Sequence, residues 1–287
     1  MLVHQGRFSI EAMCRVLRVS RSGFYDFKAC PQNQRVQQDK QLKAKIQSIF
    51  KEYESRYGSP RIHRELREQG VRCSQKRVAR LMRELKLVAT KPRRFVVTTD
   101  SKHSFPVAGN LLNREFDVEA IADVNRKWAG DITYIPTAQG WLYLAVVLDL
   151  KSRRVIGWSM KDTMDKSLVQ EALKMATNQR LKGLANQQLL FHSDRGSQYA
   201  SSSYREQLER QGIVCSMSRK GNCWDNAPLE SFFATLKKEL IHRQKYQNHK
   251  QAKASLFYYI EAFYNRKRRH SALGYISPHD YEQASLI

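Results

Sequence analysis

Three acidic residues, Asp131, Asp194 and Glu230, stand where a carboxylate is costly or deliberately placed. Asp131 lies inside a strand-like run among the apolar neighbours Trp128, Ile132 and Ile135, and Asp194 closes the apolar run LLFHSD. Glu230 falls in the first turns of a helix that begins near Pro228. An ionised carboxylate beside a strand core needs a compensating partner, and a divalent cation is a good one. With 62 residues between the first two acids and 35 between the second and third, the site must be assembled from separate strands and a helix. Such a site suits phosphoryl transfer, in which two Mg2+ ions roughly 3.5–4 Å apart clamp the attacking and leaving oxygens and no side chain serves as covalent nucleophile. Taken singly, Asp194 reads equally as a turn residue beside Gly196, and Glu230 as a partner of the helix dipole. Asp149 is the rival acid, read as a structural residue before the Lys151-Ser152 turn.

The elements that must position these acids follow from the texture of the chain. WAGDITYIPT, WLYLAVVLDL and RRVIGWSM are three consecutive strand candidates, with turn signals at Gln139-Gly140 and Lys151-Ser152. A helix over 165–181, a short buried strand in QQLLFHSD, a helix in SSYREQLERQG, a strand in IVCSMS, a helix from about Pro228 and a last helix over about 251–265 complete the order βββαβαβα plus one. The expected fold class is therefore α/β, a ribonuclease-H-like catalytic core over 126–287, behind an N-terminal all-α helix-turn-helix region.

Residues 1–95 form that helical region. Ser9 caps a helix carrying Ile10, Met13, Val16 and Leu17, and Ser20 caps a second that opens with Arg21, Ser22 and Tyr25 in reach of DNA. An ordinary helical hairpin explains the same pattern. An amphipathic helix over 37–55 precedes a second pair, started by Ser59-Pro60, stopped at Gly70 and resumed after Ser74. Lys76, Arg77, Arg80 and Arg83 occupy much of the last helix, with no acid among them until Glu84, which points to phosphate contacts. Residues 96–125 lose periodicity, carry Pro106 and read as an extended linker.

Bulk composition agrees with a polyanion partner. Fifty Lys and Arg against 27 Asp and Glu leave a net charge of +23, and the excess is spread over both halves of the chain. A basic ribosome-associated protein has the same balance. The five cysteines include no C-x-x-C pair and no zinc spacing, which argues against a disulfide framework or structural zinc. The longest apolar run, Trp141 to Leu148, is too short to span a bilayer, so a soluble protein of a reducing compartment is expected.

WAGDITYI, FHSDRGSQY and NCWDNAPLESFFATLKKEL resemble the three catalytic blocks of bacterial insertion-sequence transposases of the retroviral-integrase superfamily. YNRKRRHSALGYISPHDY resembles the block that ends those proteins, and RYGSPRIHRELREQG with SQKRVARLMRELKL resembles their upstream helix-turn-helix. The pattern is that of the second-frame protein, OrfB, of insertion-sequence family three. The resemblance implies that Asp131, Asp194 and Glu230 are a metal-binding D-D-E triad using Mg2+, with Mn2+ able to substitute. It implies an enzyme that cuts the ends of an element to free a 3′-hydroxyl and joins that hydroxyl to target DNA through an excised circle. Double-stranded DNA, a homo-multimer holding two ends together and an upstream-frame OrfA partner with a leucine zipper are the implied partners, since no sustained heptad occurs here.

Further DNA contacts are expected from Gln198 and Tyr199, close after Asp194, and from Lys237, two helical turns from Glu230 on the same face. Arg266, Arg268, Arg269 and His270 form a cationic run that is either a solvated tail or a DNA clamp. The competing functions are a non-catalytic helix-turn-helix regulator, disfavoured by the intact triad, and a structure-selective ribonuclease, disfavoured by the N-terminal helices and the full third block.

Overall fold

The computed structural model describes residues 1–29, 34–89, 106–181, 188–219 and 223–285. The chain forms two compact units, Met1–Ala89 and Thr90–Ile287.

The first unit is all helical: α1 (Ile10–Leu17), α2 (Arg21–Ala29), α3 (Gln34–Glu52), α4 (Ser59–Glu68) and α5 (Gln75–Glu84). Its capping is local and legible. The hydroxyls of Ser9, Ser20 and Ser74 accept the N–H groups of Ala12, Gly23 and Arg77, satisfying donors that each helix start leaves open. At α4 the cap is Gly58 rather than Ser59, so Pro60 sits in the first turn, where its missing N–H is harmless. Gly70, at φ +75°, turns the chain out of α4. Ile46, Ile49, Ile62, Leu66, Val78 and Leu81 bury fully between α3, α4 and α5.

The basic stripe on α5 is not unpaired, as its own sequence suggested. Asp39 on α3 accepts from Arg77 at 2.7 Å and Arg80 at 2.6 Å, and Arg80 also holds Glu84 at 2.5 Å. Arg80, with Arg77 beside it, keeps the Asp39 carboxyl below the usual carboxylate range. These two guanidiniums tie helices together, whereas Lys76 stays exposed.

In the second unit a five-stranded sheet has the order β3-β2-β1-β4-β5, from β1 (Lys127–Thr137), β2 (Gly140–Asp149), β3 (Val155–Lys161), β4 (Leu190–Ser193) and β5 (Val214–Met217). The first three are antiparallel neighbours; β4 runs parallel to β1 and β5 to β4. This is the ribonuclease-H-like order expected of the sequence. Helices α6 (Lys166–Arg180), α7 (Ser197–Ala200) and α8 (Ser202–Arg210) fall between β3 and β5. Trp128, Ala145, Val147, Ile156 and Phe191 of the sheet pack with Leu168, Ala172 and Leu173 of α6 and Tyr204 of α8. After a short 3-10 turn at Cys223–Asn226 come α9 (Ala227–Glu239), which contacts β1, and α10 (His249–Phe257). The expected single last helix continues from α10 as a π-helix over Tyr258–Tyr264, and α11 (Pro278–Ala284) ends the fold.

Residues 106–125 are not an extended linker. Leu112 and Ile121 are fully buried, and the N–H groups of Leu111 and Leu112 donate to Ser216 Oγ of β5. Asn110 and Arg114 hold the buried Asp225 carboxylate at 2.9 and 2.8 Å. Irregular chain can be this well anchored because side chains, rather than a ladder, satisfy its backbone. The remainder of the expected linker, 96–105, lies outside the described residues.

Candidate active site

The last register pair between the parallel strands β1 and β4 is Gly130 opposite Ser193. Asp131, inside β1, and Asp194, just past the end of β4, are the next residues after that pair, so adjacent strands carry the two acids side by side. A side chain at position 130 would obstruct this arrangement: a Cβ there would meet the Phe191 ring at 2.5 Å. β4 stops at Ser193, but β1 continues through Thr137 and leaves an edge open beside the two acids. The third acid, Glu230, lies in the first turn of α9, and Lys237 lies seven residues further along the same face.

Each aspartate is oriented by a local backbone donor. Asp131 Oδ1 accepts the Ile132 N–H at 2.8 Å, and Asp194 Oδ1 accepts the Gly196 N–H at 2.9 Å. Burial raises the Asp131 carboxyl well above the ordinary carboxylate range, and the charge of Asp194 and, less strongly, of Glu230 pushes the same way. The Ile132 N–H and Lys237 oppose that rise without cancelling it. Burial also raises Glu230. The Lys237 ammonium is lowered by burial, against the pull of Asp131, and stands 4.9 Å from the centroid of the Tyr134 ring. These acids are thus gathered, desolvated and mutually repulsive, a state that a cation relieves.

Among the described residues, no three His, Cys, Asp or Glu side chains are gathered tightly enough to enclose one ion. Asp131 and Asp194 are neighbours across the β1–β4 register, and Glu230 on α9 adds its charge to Asp131. An all-oxygen pair suits a hard divalent ion that takes its remaining ligands from water and phosphate, as Mg2+ commonly does.

A cleft of about 470 Å3 opens over the free edge of β1, with Asp131 and Asp194 at one end. Its walls include Tyr134, Trp141, Tyr143 and Met164, which the sequence reading passed over. The signal was present in the aromatic residues on either side of the β1–β2 turn, but only the register, with Tyr134 opposite Tyr143, brings them together. Gln198 is on the cleft wall, its amide donating to the Met164 carbonyl at 3.1 Å.

Several expected DNA contacts are corrected by burial. Tyr199 is only 3% exposed, its ring packed against Phe191 and Tyr204, so it forms the base of the cleft instead of reaching outward. Arg268 is likewise buried, and it grips the Glu239 carboxylate at the end of α9 through Nε and Nη2. In the same run, Arg269 donates to the Tyr275 carbonyl, the His270 ring lies edge-on to Tyr264, and Arg266 is exposed. In the first unit, Arg21 pairs loosely with Glu11 at 3.8 Å, the Ser22 hydroxyl donates to Ser20, and Tyr25 is exposed. Asp149 is fully buried and accepts the N–H groups of Asn125, Lys151 and Ser152, which makes it the structural turn acid. His192, two residues before Asp194, bridges Ser216 and Ser218 as a neutral ring, held down to about 4 by burial.

Comparison with known proteins extends this picture over the whole chain. Residues 122–223 match a family described as Integrase core domain, residues 230–286 match a second family of that description, and residues 37–95 match the HTH-like domain. Transposase InsF for insertion sequence IS3A, from Escherichia coli (strain K12), is 45% identical over 287 residues, covering 99% of this chain and 97% of that protein. The Insertion element IS600 uncharacterized 31 kDa protein of Shigella sonnei is 43% identical over 266 residues, 93% of this chain and 96% of that protein. Among solved structures, the simian T-cell lymphotropic virus intasome in complex with PP2A regulatory subunit B56 gamma aligns with a TM-score of 0.46 and 14% identity, over 73% of this chain and 67% of that one.

Proposed function

Because the chain belongs to the family of the InsF transposases of insertion sequences, we propose that it is a DNA transposase whose cutting and joining centre is built on Asp131, Asp194 and Glu230. The observation that carries this reading is that adjacent parallel strands bring Asp131, inside β1, beside Asp194, just past the end of β4, within electrostatic reach of Glu230 on α9. Two Mg2+ ions, with Mn2+ able to replace them, would be held by these carboxylates and would supply Lewis-acid activation of the attacking oxygen and neutralisation of the leaving one.

The chain's own residues then do the positioning. Ile132 and Gly196 N–H groups fix the two aspartates, and Lys237, braced on Tyr134, offers its ammonium to a phosphate beside them. In the first reaction water displaces the 3′ oxygen at the element's end and frees a 3′-hydroxyl. In the second that hydroxyl displaces a 3′ oxygen of another strand, so one phosphodiester replaces another and no external energy is needed. Lys76, Arg266, and the exposed Arg21 and Tyr25 supply candidate contacts along the DNA, in keeping with a net charge of +23. Synapsis of two ends calls for a homo-multimer, and end recognition is shared with an upstream-frame OrfA segment. Transposon ends and target DNA are the substrates, on the bacterial nucleoid.

The test is cleavage of duplexes made from the DNA flanking the reading frame. Mg2+-dependent nicking at the repeat boundary supports the proposal, and binding without nicking under any divalent ion would leave a regulator.

A further inference from the structure

The wall of the cleft that faces away from the carboxylates is aromatic, and phosphate chemistry alone does not call for that. Tyr134 and Tyr143 are directly opposed across β1 and β2, and Trp141 lies diagonally from Tyr134 with ring centroids 4.9 Å apart at 86°. Trp141 is nonetheless 50% exposed, so a large π surface is left facing the opening. The Lys237 ammonium stands over the Tyr134 ring and also feels the charge of Asp131, which links this wall to the acids. Asp131 and Tyr134, three residues apart on β1, leave opposite faces of the strand, and the cleft joins them around the edge that β4 leaves open beyond Ser193. A group bound against the wall therefore shares one cleft with whatever occupies the carboxylates.

We propose that this cleft receives one nucleobase, swung out of the duplex next to the phosphate being cut, and stacks it on Trp141 and Tyr134. The inference rests on the reading of Asp131 and Asp194 as the cutting centre. A base inside a duplex cannot reach a recessed wall while its phosphate sits at the acids, so it must leave the stack, and the aromatic surface returns part of that cost. Stacking on a π face is tolerant of base identity, so the pocket acts on end geometry and not on sequence. It would favour ends that open easily and would fix the scissile phosphate against rotation.

The experiment uses the full chain and duplexes taken from the DNA flanking its reading frame. One set is fully paired, and the other is mismatched at the nucleotides beside the cut. Base–aromatic stacking of ~1–3 kcal/mol corresponds to roughly 5- to 150-fold. Trp141→Ala should accordingly cut paired ends about 10-fold or more slower, cut mismatched ends within about 2-fold of the unaltered chain, and be largely restored by Trp141→Phe. Equal effects of Trp141→Ala on both duplexes overturn the proposal. A measurement on the unaltered chain guards against a folding defect in the variant. A 5-iodouracil flanking the cut should crosslink to a peptide holding Tyr134, Trp141 or Tyr143, and cleavage with no such crosslink overturns the proposal as well. If the unaltered chain cuts neither duplex in Mg2+, the underlying reading fails and this one with it.

Discussion

Asp131 and Asp194 each stand one residue beyond the last paired position of two adjacent parallel strands, where Gly130 faces Ser193. The sheet register therefore holds their backbones side by side, and the charge of Asp194 adds to the rise of the Asp131 carboxyl.

That repulsion should be measurable as stability. A carboxyl whose folded pKa lies above its unfolded value adds stability only at low pH and loses it as pH rises through the folded value. Asp131 is such a group, so at neutral pH and without metal it weakens the fold. Asp131→Asn should melt higher than the unaltered chain in EDTA, by an amount on the order of a few degrees for ~1 kcal/mol. The gap should shrink as pH falls towards the carboxylate range. Mg2+ should raise the melting point of the unaltered chain and leave that of the variant nearly unmoved. A variant that melts lower in EDTA would contradict the burial and charge argument.

Glu230 bears on chemistry more than on binding. It lies in the first turn of α9 and influences Asp131 electrostatically, but it does not complete a three-acid cluster. Glu230→Gln keeps the shape and removes the charge. Cleavage and joining should fall by roughly 10^2–10^3 or more, with DNA affinity changed by less than about 2-fold. Retained cleavage in Mg2+ would remove Glu230 from the site.

Lys237 tests the phosphate contact. Burial lowers its ammonium, yet Asp131 draws it toward the charged form, and the side chain is braced on Tyr134 at 4.9 Å. If it neutralises one phosphate, Lys237→Ala should weaken binding about equally across sequences and reduce the slope of log affinity against log salt by about 0.9. An unchanged slope would restrict Lys237 to packing on the ring.

What the sequence made legible was local. Strand alternation placed Asp131, the end of an apolar run placed Asp194, and Pro228 marked the helix of Glu230. Ser9, Ser20 and Ser74 cap their helices within three residues. What stayed hidden depends on partners distant in sequence. Arg77 and Arg80 meet an acid on another helix, and helical i,i+4 reasoning on α5 cannot show Asp39. The aromatic wall exists only once β1 and β2 are in register. Residues 106–125 look like a linker because they lack periodicity, but isolated residues such as Leu112 and Ile121 anchor them.

The cationic run near the C-terminus divides along the same line. Arg268 is a buried partner of Glu239, while Arg266 is exposed. Arg268→Ala leaves a buried carboxylate without its cation and should cost ~3–5 kcal/mol, read as a lowered melting transition. Arg266→Ala should leave melting unchanged and, if it touches DNA, lessen the salt dependence of binding. Equal melting of the two variants would contradict the division.

Asp225 supplies an acid-dependent anchor with the opposite sign to Asp131. Burial alone would raise its carboxyl, but the Arg219 N–H and the Arg114 guanidinium outweigh burial and hold it below the ordinary range. A depressed carboxyl gives stability that is complete above the unfolded value, near 3.9, and is lost as pH falls through the folded value. Because Asp225 ties Asn110 and Arg114 to the turn that opens α9, its protonation should loosen the segment 106–116 before the sheet melts. Protection of the Leu111 and Leu112 amides should fall at acid pH as Asp225 is protonated, while protection in β1 and β2 holds. Asp225→Asn should show the faster exchange already at neutral pH, because the amide keeps the shape but loses the charge that holds Arg114. Simultaneous loss of protection in the segment and the strands would mean that this anchor belongs to the global fold and not to one detachable strap.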